Sequence, residues 1–184
     1  MRAFKEQELK NKLEKELEAD FILKKEVRGQ FLVDGTGVVI DYLAKARRHV
    51  VKDQGFPDEW FGIEVKGFPT KDLAKKGKEL AWQALTYAMS EFEGQRPMFV
   101  LTYPAIKNFF DNNKILNERT ERHYEKNEAF QLVTFLEKGN VGSLEIRNSG
   151  WNMYFGSWQS YCSKNTPLNR KKNYGTKRNV GNCA

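Results

Sequence analysis

Leu9, Leu13 and Leu17 recur at spacing four through a charged segment, residues 5–19, and predict an amphipathic helix. At about 100° per residue the three leucines span an arc of about 80°, and Glu6 falls inside it. Glu16 lies about 20° outside the arc, whereas Glu8 and Glu14 are turned well away. Residues 21–27 predict a first strand. The Asp34-Gly35 pair supplies turn chemistry, so FLVDGTGVVID predicts a hairpin into a second strand. That strand is apolar through Val38, Val39 and Ile40, meets Asp41, and runs on from Tyr42 to Ala46. Residues 59–68, EWFGIEVKGF, predict a third strand, in which Glu64 and Lys66 project to one face while Ile63 and Val65 point to the core.

Pro69 and Thr70 close this strand, and KDLAKKGKELAWQALTYAMSEF predicts a helix from Lys71 to Phe92, broken by Gly94 and Pro97. A short buried strand, MFVLTY, follows, then a second long helix over residues 118–138. VGSLEIRNSGWNMYFGSW predicts a late hairpin turning at Asn148-Ser149-Gly150. Trp151, Met153 and Phe155 share strand parity and are expected in the core. Tyr154 and Trp158 face the other way and suit stacking on an unpaired base. From Lys164 onward apolar residues are few, which predicts a flexible tail over 164–184 behind one domain over 1–163. The element order predicts an α/β fold, a mixed central sheet flanked by helices.

Charge changes the picture more than composition does. From Ile146 to the end there is no acidic residue but there are seven basic ones: Arg147, Lys164, Arg170, Lys171, Lys172, Lys177 and Arg178. They account for the whole net charge of +7, and the remaining 24 Lys and Arg match the 24 Asp and Glu. A basic segment behind a neutral body points to a polyanionic partner, with nucleic acid the first candidate. No run approaches the ~18 apolar residues of a membrane span, and the charged helical start is unlike a signal peptide. A cytoplasmic protein with no membrane partner is the expectation, the cytoplasm being that of the host cell if the chain is phage-encoded. Cys162 and Cys183 form no CxxC, and His49 and His123 stand apart, which argues against a cysteine zinc site or an iron–sulfur cluster within one chain.

The chemistry-bearing residues come in a fixed order. A carboxylate on the first helix comes first; Glu6 is the leading choice and Glu16 the second, because a carboxylate on a core-facing stripe is costly without a partner. Asp41 then interrupts an apolar strand, Glu64 and Lys66 share a face of the next, and Gln83 and Tyr87 stand i and i+4 on one helix face.

This ordered set resembles the PD-(D/E)XK nuclease superfamily, in its RecB-like and Holliday-junction-resolvase-like branches. Ile40-Asp41 stands where that family has Pro-Asp, with Ile in place of Pro. Glu64-Val65-Lys66 is similar to its (D/E)XK, Gln83 and Tyr87 to its QxxxY helix, and Glu6 to its first-helix acid. The resemblance covers residues 5–103 and leaves the last third unaddressed; the cluster-binding cysteines of some RecB-like members are absent. It implies a restriction-endonuclease-like sheet and a metal-dependent deoxyribonuclease. The cofactor is then Mg²⁺, with Mn²⁺ able to substitute. Asp41, Glu64, the Val65 carbonyl and Glu6 are the implied ligands. Lys66 would assist the attacking water or stabilise the transition state, Gln83 would position the nucleophile or a phosphate, and Tyr87 would brace the helix or touch the DNA backbone. Lys45, Arg47 and Arg48 after Asp41, and Lys71, Lys75, Lys76 and Lys78 before Gln83, suit sequence-independent phosphate contacts. Members that cut both strands are often dimers, so a homodimer is a further expectation. The alternative is a non-catalytic nucleic-acid-binding module on the same fold.

Overall fold

The computed structural model describes residues 4–69, 71–110, 135–147, 150–155 and 159–163. Its first element, α1 (Glu6–Leu17), buries Leu9, Leu13 and Leu17, as the leucine spacing predicts. Glu8 at the third helical position reaches back to the Lys5 backbone N–H at 3.3 Å, satisfying a donor that the helix start leaves free. The strands β1 (Phe21–Phe31) and β2 (Gly37–Ala46) form the antiparallel hairpin, with Gly35 in the turn at φ +77°. Then come α2 (Arg48–Gln54), β3 (Trp60–Val65), α3 (Leu73–Ala88), β4 (Ser90–Phe92), β5 (Val100–Tyr103) and α4 (Ile106–Phe110). The strands β6 (Val141–Arg147), β7 (Gly150–Phe155) and β8 (Gln159–Cys162) complete a sheet of order β4-β1-β2-β3-β5-β6-β7-β8.

The sheet is mixed. Its centre, β3-β5-β6, is parallel and both flanks are antiparallel. Parallel neighbours need a crossover, and α3 supplies the one between β3 and β5. Two apolar clusters separate the layers. One joins α1 and Val50 of α2 to Tyr42, Ala44, Ile63, Val65, Leu101 and Trp151. The other joins α3 and α4 to Val27, Ile40, Leu43, Val100 and Val141. Strand β3 is covered on both sides, since Ile63 and Val65 pack toward α1 while Gly62 and Glu64 alternate toward α3.

Strand alternation fails at one place. Along β1, Phe21 and Leu23 pack in the α1 cluster but Val27 packs in the α3 cluster. Along β2, Tyr42, Ala44 and Ala46 belong to the first, and Val38 and Ile40 to the second. A regular strand would keep all of these odd or even positions on one side. The pairing runs Lys25↔Tyr42 and then Val27↔Ile40, leaving out Glu26 and Asp41, and Glu26 adopts φ +50°. Both strands therefore exchange faces at the same point without slipping register. Asp41 is one of the two residues at that point.

Two sequence expectations are corrected here. The helix predicted over 71–92 begins at Leu73, after Asp72 in a left-handed conformation, and ends at Ala88. Residues 90–92 leave it because they pair as an edge strand with Gly29–Phe31. Glu14 does not turn away from the sheet: it accepts hydrogen bonds from the Tyr42 hydroxyl at 2.8 Å and from Lys25 Nζ at 2.7 Å. The segments α2, α4 and β8 were not anticipated. The late hairpin is present with Trp151 and Met153 buried. The predicted helix over 118–138 falls, up to residue 134, outside the described residues. So do Thr70, Asn148, Ser149, Trp158 and the tail over 164–184.

Candidate active site

The residues of interest gather at the C-terminal end of β3, where both helical layers reach past the sheet. On one side, Phe4 pairs with Phe68 through two backbone bonds (3.0 and 2.9 Å), which lays the start of α1 along Lys66-Gly67-Phe68. Gly67 permits this approach, since a Cβ there would lie 3.3 Å from the Glu6 nitrogen. Its N–H donates to Glu6 Oε2 at 3.3 Å. On the other side, α3 presents Gln83, whose Oε1 accepts from Lys66 Nζ at 3.0 Å. Tyr87 lies one turn further on, buried among Phe92 and its neighbours.

Asp41 connects the strands at this point. Its Oδ2 accepts the Val65 backbone N–H at 2.8 Å, while its Oδ1 lies 2.5 Å from Lys10 Nζ. Lys10 also stands 3.4 Å from Glu6 Oε1, one helical turn below. Burial disfavours the Lys10 ammonium, but the hydrogen bond and charge of Asp41, with Glu6 behind them, outweigh it and raise its pKa. Lys10 escaped the sequence reading because a lysine four residues after a glutamate on a charged helix has the look of an ordinary surface pair. The signal was its place on the wheel, about 20° outside the leucine arc and beside Glu6.

Glu64 is strongly perturbed. It is 5% exposed, its Oε2 finds no hydrogen-bond partner, and its pKa is pushed up to about 8. Burial is the main cause and the nearby Asp41 charge the next; the Asp41 backbone N–H and the Lys66 charge act the other way. The same two carboxylates, after burial, raise the Tyr87 hydroxyl.

The structure thus brings Glu6, Asp41, Glu64, Val65, Lys66, Gln83 and Tyr87 to one end of β3. It does not bring Lys45, Arg47 and Arg48 there, whereas Lys75 and Lys76 of α3 share a neighbour, Glu79, with Lys66. Arg47 and Arg48 follow the opposite end of β2, about 20 Å along the strand from Asp41, and Arg47 Nε donates to the Glu18 carbonyl. Lys45 pairs with Asp58 at 3.0 Å and Lys76 with Glu79 at 2.6 Å, while Lys71, Lys75 and Lys78 are exposed. Glu16 stands near Tyr103, whose hydroxyl is pushed up to about 12 by burial and then by that charge. A surface cavity of about 390 Å³ beside β4, lined by Leu32, Met89, Arg96 and Pro97 among others, contains none of the site residues.

Among the described residues, no three His, Cys, Asp or Glu side chains converge as a ready-made metal cage. The donor set nonetheless fits a hard divalent cation. It is made of oxygen alone, it holds an unpartnered buried carboxylate oxygen beside a second carboxylate, and Mg²⁺ is commonly held by only one or two carboxylates with water and phosphate. No family model, curated protein or solved structure matches the chain. Among the described residues, no helix is long and apolar enough to cross a membrane.

Proposed function

We propose that the chain is a Mg²⁺-dependent deoxyribonuclease with a restriction-endonuclease-like fold of the PD-(D/E)XK type, acting on DNA in the cytoplasm. The observation that carries this reading is the buried Glu64 carboxylate with an unpartnered oxygen beside Asp41, with Lys66 two residues on and held by Gln83. A carboxylate at 5% exposure is costly to keep, and a site that recruits a cation repays that cost. Asp41 and Glu64 are the residues that would hold the ion, with the Val65 carbonyl and Glu6 next to them. When bound, a divalent ion polarises the phosphodiester and lowers the pKa of attacking water.

The remaining groups are the chain's own contribution. Gln83 orients the Lys66 ammonium through the 3.0 Å bond. Held there, Lys66 presents a compact positive charge to the non-bridging phosphate oxygens as negative charge grows on them. The Val65 N–H fixes one oxygen of Asp41, leaving the other to exchange partners. Tyr87 keeps water from the α3 side of Glu64. Lys71, Lys75 and Lys78 supply phosphate contacts without base readout. A homodimer would place two such sites on opposite strands.

The second reading is a non-catalytic nucleic-acid-binding module on the same fold. Lys10 favours it, because its ammonium at 2.5 Å already neutralises Asp41. The test uses closed-circular and linear DNA with Mg²⁺, Mn²⁺ or EDTA, beside Lys66→Ala. Metal-dependent cleavage that falls at least about a hundredfold in the variant, with metal binding retained, is expected. Nicked circles identify an endonuclease, and loss of linear DNA alone an exonuclease. Salt-sensitive DNA binding with no cleavage by the wild type overturns the enzymatic reading.

A further inference from the structure

Lys10 is placed where the metal reading leaves least room for it. Its Nζ lies 2.5 Å from Asp41 Oδ1 and 3.4 Å from Glu6 Oε1, so one ammonium bridges two of the three carboxylates. Its side chain is only 18% exposed, and that of Asp41 14%, so the pair is shielded from solvent screening far more than an ordinary surface bridge. The helix can supply this cation because Glu6 and Lys10 are one turn apart and Glu14 continues the same row toward Lys25 and Tyr42. The third carboxylate, Glu64, is left out of the arrangement: its Oε2 has no partner, and the Asp41 charge bears on it unfavourably. Lys10 therefore neutralises part of the acidic cluster and leaves one buried oxygen unsatisfied.

We propose that Lys10 is a resident counter-ion that competes with the divalent metal for Asp41, so that metal entry is coupled to release of the Lys10 ammonium. The inference rests on the metal-binding reading of Asp41 and Glu64. Two cations cannot both sit against Asp41 Oδ1 at close range without strong repulsion, and the metal has the advantage of also satisfying Glu64. Lys10 must then swing outward on its flexible four-carbon stem. In this arrangement the metal-free protein keeps Asp41 and Glu6 compensated, and the affinity for metal is lowered by the cost of displacing Lys10. Coupling of this kind is reciprocal: whatever draws Lys10 away, such as a DNA phosphate, raises metal affinity by the same factor.

The test is isothermal titration of Mn²⁺ and Mg²⁺ into DNA-free full-length protein, comparing wild type with Lys10→Met, Lys10→Arg and Asp41→Asn. Melting in EDTA monitors folding. Lys10→Met is expected to bind metal about tenfold or more tightly and to melt lower in EDTA, with the difference closed by saturating Mn²⁺. Lys10→Arg keeps the charge and should stay near wild type; it also serves where Lys10→Met is too unstable to purify. Wild-type binding that requires Asp41 but is unchanged or weakened in Lys10→Met overturns the competition while leaving the metal site standing. Lys10→Arg binding as tightly as Lys10→Met overturns it too. Absence of binding in every protein removes the metal reading itself, and the competition with it.

Discussion

Replacing Glu64 by Gln should stabilise the metal-free protein at alkaline pH. In the folded chain the Glu64 carboxyl holds its proton up to about pH 8, against an ordinary value of 4.5. Between those limits the folded state binds more protons than the unfolded state, so stability falls as pH rises from 4.5 and the loss is complete above about 8. The interval corresponds to about 5 kcal/mol at most, and relaxation of the site with water entry reduces it to about 2–4 kcal/mol. Gln keeps the shape and has no charge to bury. The assay is urea unfolding in EDTA at pH 5, 7 and 9 on both proteins, because the difference between them cancels the titration of unrelated groups. Near pH 5 the two should unfold at similar urea concentrations; at pH 9 the variant should lead by about 2–4 kcal/mol. Added Mn²⁺ should then raise the wild type alone. A difference that does not change with pH, or a wild type that gains on the variant as pH rises, refutes the buried-carboxylate account.

Two further substitutions test the layers that hold the site. Leu13→Ala should cost about 2–5 kcal/mol in urea unfolding, since this fully buried side chain joins α1 to the sheet and no polar group there can refill the space. Gly29→Ala would place a Cβ 2.3 Å from the Glu91 carbonyl oxygen and 2.4 Å from Phe92. It should cost about 1–3 kcal/mol and loosen β4 first, seen as faster amide exchange at residues 90–92. Unchanged unfolding in either variant contradicts the packing described.

The arrangement of helices and strands could be read where the periodicity was strong and local. The leucine spacing of α1, the Asp34-Gly35 turn and the alternation around Glu64 each encode one element and need no distant partner. What stayed hidden depended on tertiary pairing. Residues 90–92 continue a helical pattern in the sequence, yet they pair with β1 once Gly29 lets that edge come close. The strand through Asp41 to Ala46 could be read, but its exchange of faces could not, because no side-chain pattern announces that a partner strand turns over at Glu26. The site was legible as an ordered series of residues, but its electrostatics were not. Lys10 and Glu14 became visible only when the sheet gave the helix edge something to face.

The exchange of faces at Glu26 and Asp41 governs how this chain can change length. Within the hairpin, a single-residue insertion or deletion on one strand would carry every position beyond it into the wrong apolar layer, exposing Val27 or Ile40 and burying polar neighbours. A matched single change on each strand keeps the pairing but turns the outer part of both strands to the wrong layers; only changes of two residues on each strand keep both. Residues 32–36 at the tip can lengthen without that penalty. The carboxylate is thus locked to the fold by arithmetic as well as by packing: divergence can lengthen the hairpin tip freely, while the distance from Asp41 to the strands that flank it is held fixed.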